Sequence, residues 1–197
     1  MAARSCPGLR SEGITLFNFT DPNVDMSGWE ELSDTVRKTI VGQSKATLVL
    51  QKTNAFQRGI FFALLNPQEN GACFAGMRHP VKLELAPASV ITLNMRSQGQ
   101  NTYFKVILRH HGQMGDQYPT YEHTFQVPPG GDLRPVFFGT GEFQPFINGI
   151  LDMDADPLDR SDITDFGIQV AGGFDSDYKQ SGPAALEIDW ISAANYC

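Results

Sequence analysis

The sequence predicts an all-β chain folded as a two-sheet β-sandwich. Ten short segments alternate apolar with polar residues or run apolar between turn signals. The chain's 19 glycines and 12 prolines punctuate them, and its 14 phenylalanines offer large core side chains. No long amphipathic helix is visible. The nearest candidate, 29–37, holds Trp29, Leu32 and Val36 at helical spacing over barely two turns and predicts a helical turn or a capped loop.

The 197 residues suit one domain, with 1–14 as an N-terminal extension and 15–197 as the folded unit. A hydrophobic share of 41% and a charged share of 19% are ordinary for a globular protein. No apolar run approaches the roughly 18 residues that span a bilayer, so a soluble protein with no membrane span is expected. A net charge of -7 argues against nucleic acid as a partner, since that contact is made by clustered Lys and Arg.

Taken in order, residues 1–13 lack the apolar stretch of a signal peptide; Arg4 and Arg10, with no acid before Glu12, fit the start or remnant of an organelle transit peptide. The sequon Asn18-Phe19-Thr20 matters only in a secreted protein. Strands are predicted at 15–19, 46–52, 59–65, 72–78, 90–96, 102–110, 121–127, 134–138, 166–170 and 186–191. Within 90–109, Ile91, Leu93 and Met95, then Phe104, Val106 and Leu108, face one way, and 97–101 carries turn chemistry with Gly99 free to take a positive φ. This predicts a hairpin with Arg96, Lys105 and Arg109 on one polar face. The segments 111–119, 139–161 and 172–183 are predicted as long irregular loops, where binding surfaces concentrate. The closing strand places Leu186, Ile188 and Trp190 toward the core and Glu187 and Asp189 opposite.

Three cysteines without CxxC spacing give no zinc motif. Cys73 sits in an apolar strand as a small hydrophobe. Cys6 and Cys197 allow a bridge if the first and last strands are neighbours in an oxidising compartment, and otherwise are free thiols.

Several stretches in order resemble one family: Leu16-Phe17-Asn18-Phe19 with Trp29, Ser33-Asp34-Thr35-Val36-Arg37 and Gly42-Gln43-Ser44; the Gly-rich strand from Asn70 to Arg78; the 90–109 segment; Phe143-Gln144-Pro145; and the ending from Gly182 to Ile191. This is the complex I intermediate-associated protein family. The resemblance covers 15–194, and departures occur at Lys38-Thr39-Ile40-Val41, where paired glycines are usual, and at Arg134-Pro135-Val136-Phe137-Phe138. It implies a galactose-binding-like jelly roll. It also implies a non-catalytic, protein-binding role as an assembly factor or accessory subunit of a respiratory or photosynthetic complex, in a mitochondrion or chloroplast, with no cofactor.

Read from the residues, the candidate binding face is Arg78, Arg96, Lys105, Arg109, Tyr121, Glu187 and Asp189, with Tyr103 or Tyr121 as a stacking surface. Two readings stay open: an ion network of the arginines with Glu187 and Asp189, or a site for a sugar or small anion. The second would make the chain a carbohydrate- or small-anion-binding module, with secretion as the alternative location. A calcium site would need Asp21, Asn23 and Asp25 to converge with Asp189. The run Asp152-Met153-Asp154-Ala155-Asp156 fails as an EF-hand, because Pro157 and Ile163 stand where Gly and Glu are required, and reads as a solvated loop. His79, His110, His111 and His123 have no ligand spacing, and no hydrolase, metalloprotease or nucleotide-binding motif is present.

Overall fold

The computed structural model describes residues 13–34, 43–174 and 176–195, and these form two antiparallel sheets packed face to face. In chain order the strands are β1 (Ile14–Asn18), β2 (Glu30–Glu31), β3 (Lys45–Lys52), β4 (Gln57–Leu65), β5 (Phe74–Leu83), β6 (Val90–Gly99), β7 (Tyr103–His110), β8 (Thr120–Gln126), β9 (Arg134–Gly139), β10 (Gln144–Ile147), β11 (Ile150–Leu151), β12 (Ile163–Ala171) and β13 (Gly182–Ala194). Sheet A runs β3-β4-β13-β6-β9, with β1 also on β13; sheet B runs β11-β10-β8-β7-β12-β5-β2.

Period-2 alternation decides which side chains meet between the sheets. Phe61, Leu93, Met95, Leu186 and Ile188 of sheet A face Phe104, Val106, Leu108, Phe166 and Ile168 of sheet B, all at 3% exposure or less. Gly59 lets Phe19 lie across β4, since a Cβ there would stand 2.8 Å from its ring. The predicted meeting of the ends is observed: β1 pairs with β13 from Ile14 opposite Ala193 to Asn18 opposite Trp190.

The predicted 90–109 hairpin is not formed. β6 lies in sheet A between β13 and β9, and β7 lies in sheet B between β12 and β8. Both arms bury an apolar face, and the chain satisfies both by crossing over the core, so that Met95 and Phe104 belong to the same core from opposite sheets. The crossing is held by buried Asn101, whose amide donates to the carbonyls of Ser181 and Pro183 at 3.0 and 2.8 Å.

Two further readings are corrected. Trp190 is half-buried outside the core, because the register shifts between Ile188 and Trp190 and leaves Asp189 as an extra residue; Ile191, at 0% exposure, takes the core position. The segment 139–161 is not irregular throughout, since it contains β10 and β11. Of the candidate helical turn at 29–37, residues 29–34 are described and contain the two-residue β2, and 35–37 lie outside the described residues.

Candidate functional site

The outer face of sheet B carries a groove of about 620 Å³. Its floor follows from register: Lys105 pairs with Thr124 on one side and Gln169 on the other, and Ile107 pairs with Glu122. Paired residues share a face, so Lys105, Ile107, Glu122, Thr124 and Gln169 point together into the groove.

One wall is the β10–β11 hairpin. Asn148 and Gly149 close it with φ of 52° and 79°, the positive pair of a type I′ turn. Phe146 and the exposed Ile150 and Leu151 stand on it. The opposite wall comes from 172–174 and 176–180. The Gln180 carboxamide donates to the carbonyls of Tyr103 and Ala171 and accepts from the amides of Thr102 and Tyr103, all at 2.9 Å. The Lys179 ammonium donates to the carbonyls of Gly173, Phe174 and Ser176 at 2.6, 3.2 and 3.1 Å. Tyr178 stacks on Tyr103 with centroids 4.2 Å apart. Gly173 is obligatory, since its φ is +80° and a Cβ would stand 2.2 Å from the Tyr178 carbonyl oxygen. These bonds leave Phe174 58% exposed on the rim.

Charges on this face are paired. Lys105 Nζ lies 2.6 Å from Glu122 Oε2, and Thr120 donates to Glu122 Oε1 at 2.8 Å. Arg78 bridges Glu30 and Asp165, the latter at 2.9 Å. Burial pushes the Asp165 carboxyl up to about 6, against the pull of Arg78 and Arg109. A carboxyl whose folded pKa exceeds its unfolded value binds protons longer when folded, so its ionisation lowers stability as pH rises from about 4 to about 6. The Asp165→Asn variant is therefore expected to lose a fall in stability on the order of 2–3 kcal/mol across that window, measured by urea unfolding at pH 4 and pH 7.

The seven predicted face residues do not share a face. Arg78, Lys105 and Arg109 are on the outer face of sheet B; Arg96, Glu187 and Asp189 are on that of sheet A; Tyr121, at 1% exposure, is in the core, its hydroxyl donating to the Asp156 carbonyl at 2.7 Å. Tyr121 offers no stacking surface because β8 alternates and its side chain shares the inner face with Phe125. On sheet A the ion network is observed with a different second cation. Glu187 Oε2 lies 2.6 Å from Arg58 and 2.8 Å from Arg96, Gln98 donates to Oε1 at 3.0 Å, and Arg58 Nε lies 3.5 Å from Asp189. Arg78 and Arg109 belong to the opposite sheet.

Asp21 and Asp25 each close a local turn, accepting from the amides of Asn23 and Ser27 at 2.8 Å, while Asp189 faces Arg58. Among the described residues no three His, Cys, Asp or Glu side chains converge as a metal site. Cys6 and Cys197 lie outside the described residues. Cys73 is a buried thiol, pushed up by burial and by Asp34. His111, at φ 54°, sits between Asp159 and Asp162 at 3.3 and 3.1 Å, and its neighbour His110 is held below its usual range by burial.

The groove walls escape the sequence reading. Asn148-Gly149 between two apolar dipeptides is a strong hairpin signal that could have found one wall. Nothing in the local pattern of 172–180 announces the carbonyl cage around Lys179.

Among solved structures, the chain is similar to a family 11 carbohydrate-binding module from Clostridium thermocellum in complex with a β-1,3-1,4-mixed-linked tetrasaccharide, at 12% identity over 93% of this chain and 95% of that one, TM-score 0.63. It is also similar to the family 11 module of a cellulosomal cellulase of Clostridium thermocellum, at 12% identity over 98% and 97%, TM-score 0.61. An agarase matches at 10% identity over 94% of this chain and 25% of its own, TM-score 0.54. Identities this low establish a jelly-roll fold and nothing finer. No curated protein sequence matches. The profile of complex I intermediate-associated protein 30 matches residues 17–188. With that match spanning most of a jelly-roll β-sandwich, the chain belongs to the complex I intermediate-associated protein 30 family.

Proposed function

We propose that this protein acts by binding, as an assembly factor or accessory subunit of a respiratory or photosynthetic complex in a mitochondrion or chloroplast. The family match over residues 17–188 carries this reading. The groove of sheet B supports it, because its walls expose Ile150, Leu151 and Phe174 side by side with a polar floor, the mixture typical of a protein-docking site. The test is co-purification of the tagged protein from organelle extract. The wild-type chain is expected to recover subunits of one large complex, and the double variant Ile150→Asp, Phe174→Asp is expected to lose them at least tenfold with an unchanged melting temperature. Both side chains are exposed, so their loss leaves the fold intact. Recovery of no complex subunit by the wild type would sink the proposal.

A carbohydrate reading of the same groove has one observation in its favour: the floor offers the hydroxyls of Thr120 and Thr124 and the amide of Gln169 together. A glycan at 100 times its dissociation constant would stabilise the fold by about 2.7 kcal/mol, and a glycan panel producing no rise in melting temperature rejects it.

A further inference from the structure

Resting on the protein-binding reading, we infer that the groove of sheet B takes a single extended, uncharged polypeptide segment of the partner, a tail or loop, instead of the face of a folded domain. Size is the first argument. About 620 Å³ falls in the range of roughly 300–1,000 Å³ that holds one small ligand or chain segment. Docking of a domain face needs a broad patch of roughly 800 Å² per partner, and a recess between two raised walls does not present one.

Charge is the second argument. Among the described residues lining the groove, Asp34 and Glu122 balance Lys105 and Arg109. Lys105 and Glu122 are bonded to each other, and Asp34 accepts the Ser44 amide at 2.9 Å. Arg109 donates to the carbonyls of Gln113 and Gly115, so in a chain of net charge -7 the charges of this groove cancel in number and are already hydrogen-bonded, which favours neither a polyanion nor a polycation.

The third argument is the shape of the apolar surface. The Tyr178 ring is already stacked on Tyr103, so the exposed apolar surface of the rim is Phe174 on one wall and the aliphatic Ile150 and Leu151 on the other. Branched aliphatic side chains on one wall and the exposed Phe174 on the other suit packing against aliphatic or aromatic side chains of a bound segment. An extended segment sends alternate side chains to opposite sides, so its apolar residues reach the two walls. Its backbone amides and carbonyls meet Gln169, Thr120 and Thr124 on the floor. Both walls are also fixed before binding, one by the Asn148-Gly149 turn and the other by the Lys179 and Gln180 hydrogen bonds, which lowers the ordering cost of holding a flexible segment.

The experiment is photo-crosslinking with the full chain in organelle extract, with benzoylphenylalanine placed singly at 150, 174 and, as a reference on the outer face of sheet A, 49. Positions 150 and 174 are expected to crosslink to one stretch of a single complex subunit no longer than about ten residues, an ordinary strand length. A synthetic peptide of that stretch, uncharged and acetylated and amidated at its ends, is expected to compete both crosslinks away. Crosslinks from 150 and 174 to well-separated segments of the partner, or failure of the peptide to compete, overturn the extended-segment inference and leave the protein-binding reading standing. Crosslinking from 49 alone does the same. No crosslink to any complex subunit from all three positions, together with glycan-induced stabilisation, overturns both.

Discussion

Phe166→Ala is expected to destabilise the protein by about 4 kcal/mol, the usual cost of emptying a fully buried phenylalanine site. Phe166 of β12 is at 0% exposure, and its ring lies 5.1 Å from Phe17 of β1 in the opposite sheet. Phe17 in turn packs on Trp29 and His79 with centroids 4.9 and 5.4 Å away. The ring thus joins the two sheets through a shared aromatic cluster, and alanine leaves a cavity that neighbours fixed in both sheets cannot close. A chain of this length loses roughly 2–4 °C of melting temperature per kcal/mol, so a fall of roughly 8–16 °C is expected. Phe174→Ala is the control. That side chain is 58% exposed, and its removal is expected to shift stability by no more than about 0.5 kcal/mol. Equal effects of the two variants would refute the assignment of core and rim.

Glu187→Ala is expected to cost about 3 kcal/mol for a different reason. Its carboxylate is the shared acceptor of Arg58 and Arg96, and the Nε atoms of both arginines are buried without a hydrogen-bond partner. Removing the acid leaves positive charge on a nearly closed surface, the costly way to break a buried pair. Arg96 keeps some solvent contact, which places the expectation at the low end of the range for such pairs. Burial alone would push Glu187 up, but its hydrogen bonds to Arg96, Arg58 and Gln98 prevail and hold it below the ordinary carboxylate range. A depressed acid contributes stability that is fully present above its unfolded pKa and is lost as pH falls through the folded one. The wild type should therefore lose stability on acidification through this group, and Glu187→Ala should lose less. Urea titrations at neutral and acid pH check this: the midpoint should shift at constant m-value, and an alanine variant as stable as the wild type at pH 7 would refute the network's role.

These two sites mark where the sequence is legible and where it is not. Alternation in 166–170 identifies Phe166 as a core residue, and the family's ordered motifs point to the fold and the family before any coordinates. Alternation does not say which sheet a strand joins. The arms at 90–96 and 102–110 read equally well as a hairpin or as a crossing between sheets, and only the packing of both apolar faces around one core decides. The same limit dispersed the candidate face: Arg96 and Lys105 are close in sequence yet end on opposite outer surfaces. Arg58 was not legible as a partner of Glu187, because a lone cation at the start of an apolar strand carries no information about its cross-strand neighbour. Asp189 illustrates a third limit. A one-residue bulge reverses the inward set of everything after it, and no residue type there announces it. Tyr121 and Asn148-Gly149 are different, since both were readable from local pattern: the first by its spacing from Phe125, the second by turn chemistry inside a stretch that reads as loop.

The position of β13 bears on how the chain is made. It is the last strand among the described residues, yet it lies in the interior of sheet A, joined to β4 and β1 along one side and β6 along the other. Until synthesis has passed Ala194, β1 and much of β4 and β6 lack the neighbour that completes their hydrogen bonding, and Leu186, Ile188 and Ile191 are missing from the core. A growing polypeptide of this sequence cannot fold domain-first as it emerges. It then has to close pairings between residues as far apart as Ile14 and Ala193, the slow class of β-sheet folding on the millisecond to second scale.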